Sequence, residues 1–343
     1  MNDDNIKYQN ILNSLITKGN QSSSEIAINL DKNLRSIQRD ITEMVKLQLI
    51  KKNGKGKHTK IDITTIGKMQ TILSPSLTNE SRLEYMNIQT FNTEIFEGFK
   101  NSNILVNHQI KLQLQTLQYR KKIKSTTPTL LKRELERLII EFSWKSSQIE
   151  GNTYSLLETQ ELLQYNQSES EPHTKKETTM ILNHKKAFDF VFQDKDYFKT
   201  LDTKKIIELH ALLTESLDIS KDFRASGVGI TGSLFRPIDN HHIIIEMMDR
   251  TCELINSKVG YEKALIATLL ISYIQPFEDG NKRTSRILSN AILYANDLPM
   301  LSYRSVNVNE YKKAILSFYE FNSTVLFLKI FTEQIEYFVN NYF

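Results

Sequence analysis

Residues 263–290 constrain this chain more than any other stretch. Lys263 to Ile274 carries Ala264, Leu265, Ile266, Ala267, Leu269, Leu270 and Ile271. A segment apolar on every side predicts a helix buried all round. Pro276 stops it, and a short acidic turn containing Gly280 follows. A second helix is predicted from about Asn281 through Ile287, Leu288, Ala291, Ile292 and Leu293. Gly280 and Asn281 at its start can turn successive backbone N–H groups toward an anion. Arg283 and Arg286 stand three apart on its first two turns, a spacing suited to clamping adjacent phosphates. Asp279 is a candidate for holding Mg2+ between protein and phosphates, and Phe277 for anchoring the turn in the core. A Gly-Asn pair or two arginines alone say little. In this order, behind a buried helix, they point to a phosphate site.

The remainder of the chain agrees with a helical protein. Only 11 Gly and 6 Pro among 343 residues favour long helices over many short strands. Hydrophobic residues make up 40%, enough for a core in one large or two to three ordinary domains. The polar N-terminus lacks the basic-then-apolar order of a signal peptide. The longest apolar run, Ala264 to Ile274, is too short to span a bilayer, so no membrane partner is expected. A single cysteine, Cys252, excludes an internal disulfide framework and a cysteine-based metal site. The cytoplasm is the expected compartment.

The net charge of +4 is unevenly spread. Residues 1–70 hold twelve Lys/Arg against seven Asp/Glu, so the rest of the chain is slightly acidic. Apolar spacing predicts helices over 6–16, from Ser22 to about Leu30, and from about Leu34 to Leu47. The third has Leu34, Ile37, Ile41, Met44 and Val45 on one face and Arg35, Gln38 and Arg39 on the other. A basic turn containing Lys55 and Lys57 then leads to an alternating strand, Ile61-Asp62-Ile63. Three short helices and a basic hairpin form the layout of a winged helix-turn-helix. Its third helix would enter the major groove and its hairpin would lie along the phosphates. The stretch Arg35 to Ile41 resembles the recognition helix of DeoR-like winged helices. The alternative is a protein-interaction module with a solvated basic hairpin. The expected domains are a winged helix over 1–68, a linker over 69–89 around Ser74-Pro75-Ser76, and a helical domain over 90–343.

Thr127-Pro128 is a helix-start signal, and Gly151-Asn152 a stop. The stripe between them is Leu131, Leu135, Leu138, Ile139 and Phe142, and it extends onto Ser146, Ile149 and Glu150. Glu150 therefore falls on or beside the inward face, at a helix C-terminus where the dipole disfavours negative charge. Such a carboxylate needs a cationic partner or it protonates.

Residues 275–286, Gln-Pro-Phe-Glu-Asp-Gly-Asn-Lys-Arg-Thr-Ser-Arg, resemble the Fic family loop His-Pro-Phe-x-Asp-Gly-Asn-x-Arg-x-x-Arg. Ser146-Ser-Gln-Ile-Glu150-Gly-Asn resembles that family's inhibitory motif, Ser/Thr-x-x-x-Glu-Gly/Asn, in a helix over 129–150. Asp222-Phe223-Arg224 and Val228 to Pro237 look like the family's flap, a short β-hairpin turning at Thr231-Gly232-Ser233. The resemblance covers roughly residues 90–343, about three quarters of the chain. It implies an all-α core with that hairpin and transfer of AMP from ATP to a hydroxyl side chain of a target protein. Carried over, Asp279 would bind Mg2+, Gly280 and Asn281 the α-phosphate, and Arg283 and Arg286 the β- and γ-phosphates. Glu150, in the motif that Ser146 opens, would pair with Arg286 and block the γ-phosphate. Val228, Ile230, Gly232, Ser233 and Leu234 would dock an extended target strand.

One position departs from the pattern. Gln275 stands where the family has its general base, and an amide has no basic site in water. Losing a general base is worth ~10²–10⁴-fold in rate, while positioning and charge neutralisation persist. No other histidine is evidently placed to substitute. His58 lies in the hairpin, and His210, His241 and His242 lie upstream of the loop. The expected function is an autoinhibited adenylyltransferase weakened at Gln275. The alternative is a DNA-binding regulator whose Fic domain binds nucleotide or forms a homodimer without catalysis. AMP removal, with Glu150 orienting water, ranks below both.

Overall fold

A computed structural model describes residues 3–78, 82–83, 88–165 and 173–343. It divides into two compact units. The first comprises residues 1–107, 230–235 and 313–328, and the second 108–229, 236–312 and 329–343. The first therefore takes in 69–89 and runs on to Asn107.

The first unit begins with Asp3–Lys18 (α1), Ser23–Asn29 (α2) and Leu34–Lys46 (α3), followed by strands Ile50–Asn53 (β1) and Lys60–Ile63 (β2). The strands pair antiparallel, with Ile50 opposite Ile63 and Asn53 opposite Lys60. Helices and hairpin share one core containing Tyr8, Ile11, Leu12, Ile26, Ile37, Ile41, Met44 and Ile61. On α3, Ile37, Ile41 and Met44 are buried at helical spacing. Leu34 and Val45, at the stripe's ends, stay exposed. Ser22 and Glu25 form the capping box that starts α2. Thr65–Met69 (α4), Gln89–Thr90 (β3) and Ile95–Asn101 (α5) follow.

The second unit is helical: Gln109–Ser125 (α6), Pro128–Ile149 (α7), Leu156–Tyr165 (α8), Lys175–Gln193 (α9) and Thr203–Leu213 (α10). After the short strand Phe235–Arg236 (β4), which is divided between the units, come His241–Ser257 (α11), Tyr261–Ile274 (α12) and Asn281–Ala295 (α13). Val308–Phe321 (α14) and Val325–Asn341 (α15) are divided between the units. The chain is all-α; among the described residues the strands form two small two-stranded sheets.

Helices α12 and α13 pack on each other at the centre of this unit, and every residue of α12 but Glu262 and Lys263 is buried. The polar start of α13 is buried too, including Asn281, Arg283, Thr284, Ser285 and Arg286. Charged groups rarely sit inside without partners, so these residues define the site. Among the described residues no helix is long and apolar enough to cross a membrane.

Candidate functional site

The site is built where α12 ends and α13 begins. Gln275 caps α12 in the left-handed region, at φ 52° and ψ 59°. That conformation costs a non-glycine residue about 1 kcal/mol or more, and its neighbours hold it there. Gln275 Nε2 donates to Ser272 O at 2.5 Å, and Gln275 Oε1 accepts from Asn281 Nδ2 at 3.0 Å. The carbonyls of Gln275 and Pro276 accept from Nε and the backbone N–H of Arg224, at 2.6 and 2.9 Å. Asn281 spans the turn. Its Oδ1 accepts from Phe277 N and its Nδ2 donates to Phe277 O, both at 2.8 Å. Gly280 precedes α13 at φ 81°, and no side chain caps the helix, a helix start of the kind that can receive an anion.

Both arginines of α13 are buried, at 2% and 0% exposure. Arg283 Nη1 donates to Leu213 O and its Nη2 to Asp279 Oδ2, each at 3.4 Å. Arg286 is held from α7. Its Nε and Nη2 donate to Ser146 Oγ at 3.1 and 3.0 Å, and Nη2 also reaches Ser146 O at 2.9 Å and Glu150 Oε1 at 2.9 Å. Its Nη1 lies 3.5 Å from Tyr311 Oη. Lys282 Nζ takes the other Glu150 oxygen at 2.8 Å. Burial alone would raise the Glu150 carboxyl, but Arg286 and Lys282 overcome this and bring it down to about 2. The helix-end acid thus has the cationic partners its position demands.

Asp279 is exposed, and its Oδ1 accepts from Gly280 N at 2.6 Å. No group of three or more His, Cys, Asp or Glu among the described residues could hold a metal. One exposed carboxylate beside an uncapped helix start is compatible with Mg2+, which takes one or two carboxylates and completes its shell with other oxygen ligands and water.

Two residues were given no contact with the loop by the sequence reading. His210 stacks on Phe277, with ring centroids 3.6 Å apart and planes 8° from parallel. Its Nε2 lies 3.2 Å from Ser220 O and its Nδ1 3.2 Å from Thr284 Oγ1. It lies beside the loop with both nitrogens engaged, and burial pushes it down to about 4. Arg224, 1% exposed, donates to the carbonyls of Ser226 and Ile238 as well as Gln275, tying the flap's flanks to the loop. Contacts across 51 to 74 residues leave no local pattern. Only the Asp-Phe-Arg of the flap resemblance marked Arg224.

The other expected site residues fall elsewhere. Val228 is in the second unit, while Ile230, Gly232, Ser233 and Leu234 belong to the first. There Gly232 O accepts from Arg82 Nη2, Ser233 Oγ donates to Glu320, and Leu234 O accepts from Gln89 N. Within the flap, Ser233 N to Ile230 O closes a turn; the strand pairing is made with β3 from far upstream. Arg35, Gln38, Arg39 and Lys55 are exposed in the first unit, and the side chain of Lys57 lies outside the described residues.

The Fic/DOC family model matches residues 200–293, which include α10, α12, the loop and most of α13. The chain carries a Fic/DOC domain. The Protein adenylyltransferase Fic of Aedes aegypti is 29% identical over 197 residues, 54% of this chain and 38% of that protein. A probable protein adenylyltransferase of Aquifex aeolicus is 32% identical over 118 residues, 31% of this chain and 36% of that protein. The chain thus spans well under half the length of these curated relatives. Among solved structures, Fic-1 from C. elegans matches with a TM-score of 0.59 at 16% identity, covering 90% of this chain and 84% of that one. A Fic domain containing signaling protein from Bacteroides thetaiotaomicron matches at 0.54 and 21%, covering 67% and 94%. At these identities the solved structures establish the Fic/DOC domain's fold alone.

Proposed function

We propose that this chain is a protein adenylyltransferase, transferring AMP from ATP to a target hydroxyl, shut by Glu150 and slowed by Gln275. The observation that carries this reading is the 2.9 Å pairing of Glu150 with Arg286, beside the uncapped start of α13. In it the N–H groups of Gly280 and Asn281 take the α-phosphate, and Arg283 and Arg286 the β- and γ-phosphates. Mg2+ held at Asp279 would offset phosphate charge. Arg286 is shared by Ser146 and Glu150, so a γ-phosphate must displace Glu150 to reach it. Gln275 offers no basic nitrogen, and its amide is already tied to Ser272 and Asn281. The segment Val228 to Leu234 is the proposed docking strand for the target. The single cysteine, buried, suits the cytoplasm as the compartment.

The test is transfer of tagged AMP by a Gln275→His, Glu150→Gly double variant supplied with Mg2+ and candidate targets. Label on the chain or a target is expected, ~10²-fold or more above the single Glu150→Gly variant. Binding of ATP without any label would sink the transferase reading.

A second reading adds DNA binding by the first unit, because α3 turns Arg35, Gln38 and Arg39 outward next to the basic β1–β2 hairpin. Salt-dependent binding of duplex DNA is its test.

A further inference from the structure

We infer that His184, on α9, is a positioning residue that sets the strength of the Glu150–Arg286 lock by fixing the proton of the Ser146 hydroxyl. This rests on the function proposed above and adds a control to the same site.

The inference follows from counting donors. Ser146 Oγ accepts the single Nε–H of Arg286 at 3.1 Å, and lies 3.0 Å from Nη2, whose two protons are shared with Ser146 O and Glu150 Oε1. The hydroxyl thus faces Arg286 as an acceptor. Its own proton points elsewhere, and His184 Nε2 lies 2.9 Å away. His184 Nδ1 lies 2.7 Å from Met180 O, and a carbonyl only accepts. Nδ1 therefore carries the imidazole proton and Nε2 is bare. The chain of donors has one direction: Arg286 to Ser146, Ser146 to His184, His184 to Met180.

Every member of this relay is buried, with Ser146, His184 and Arg286 at 0% exposure. Arg283 and Arg286 stand near enough to disfavour a charged imidazole, and burial disfavours it more. A protonated His184 would add a donor at Ser146 Oγ that competes with the Arg286 Nε–H for it. An apolar residue at 184 would free the hydroxyl to turn toward a carbonyl of its own helix, weakening the same contact. Either way the Arg286 guanidinium is aimed less well at Glu150, and that pair yields more readily to a γ-phosphate.

Two measurements on the full chain test this. Nitrogen-15 spectra, assigned by comparison with His184→Gln, should show His184 protonated at Nδ1 and bare at Nε2; a proton at Nε2 overturns the inference. Affinities for ATP and ADP with Mg2+ give the second. Glu150→Gly should raise ATP affinity relative to ADP. His184→Leu should shift the ratio in the same direction by about three- to tenfold, the effect of losing one hydrogen bond. His184→Gln, whose amide oxygen can still accept from Ser146, should restore most of it. Added to Glu150→Gly, His184→Leu should change nothing more. A response to Glu150→Gly with none to His184→Leu, or a His184→Leu effect that persists without Glu150, removes the inference and leaves the proposed function standing. No response to Glu150→Gly removes both. Should His184→Leu fail to fold, Ser146→Ala, which deletes only the hydroxyl, must shift the ratio or the relay is refuted.

Discussion

Arg286 and His210 mark the limits of reading single residues. Arg286 announced itself through its spacing from Arg283, and Glu150 through its place at the end of an inward stripe. The helix-end carboxylate demanded a cation, and the Fic resemblance named Arg286, 136 residues away, as its partner. His210 gave no such signal, since a histidine on an amphipathic helix looks alike whether it stacks on a distant phenylalanine or fills a core. Its burial has a measurable consequence that it shares with His184. In the fold His184 falls to about 3 and His210 to about 4, mainly through burial. Both histidines therefore stay neutral in the native state and become charged only on unfolding. Their contribution is fully present above the unfolded value near 6.5 and is lost as pH falls below it, toward about 4 for His210 and 3 for His184. The Glu150 carboxylate, at about 2, adds its own loss only below about 4.5. Between pH 6.5 and 4.5 each histidine should cost about 1.4 kcal/mol of stability per pH unit. Urea unfolding of the wild type and His210→Gln at pH 7 and pH 5 should show the variant losing less across that interval. Parallel losses would mean His210 titrates normally in the fold.

At the scale of elements, the start of α13 depends on how closely it packs on α10. The apolar pattern of α12, its stop at Pro276 and the Thr127 cap of α7 were all legible, because each is written within one or two turns of chain. Thr127 Oγ1 does accept from Leu130 N, at 3.3 Å. The staple between Asn281, Phe277 and Gln275 was not legible, since an asparagine after glycine fits many turns. Gly280 shows why only glycine serves there. Its φ is 81°, and a Cβ would lie 3.1 Å from His210 Cε1 and 3.2 Å from Thr214 Cγ2. Neither neighbour can retreat easily, because both are buried and His210 is stacked on Phe277. Gly280→Ala should therefore cost about 1–2 kcal/mol, from backbone strain and displacement of α13. It should also weaken ATP binding about tenfold, because the N–H groups that meet the phosphate move with the helix. Denaturant unfolding and nucleotide titration would check the two effects separately. Intact nucleotide affinity in a destabilised Gly280→Ala protein would place the phosphate elsewhere.

On the scale of the whole chain, the concentration of basic residues in the first 70 positions was visible from composition, and three helices with a hairpin do share one core there. The joining of 230–235 and 313–328 to that unit was not visible, because nothing local tells a distant segment which core it completes. Arg35, Gln38 and Arg39 turn outward on α3, and Lys51, Lys52 and Lys55 on or beside the hairpin are exposed as well. A solvated basic face would look the same, so charge does not decide the matter; its response to salt and to mutation does. If α3 enters a groove, full-length protein should bind duplex DNA near 50 mM salt, with log affinity falling by about 0.9 per phosphate contact for each unit of log salt. Arg35→Ala with Arg39→Ala should then reduce affinity about tenfold or more, and Lys55→Ala should flatten the salt slope by about one. If α3 instead faces solvent or a protein, the arginine pair will leave any residual DNA binding almost unchanged at constant salt, because no base edge or positioned phosphate depends on it.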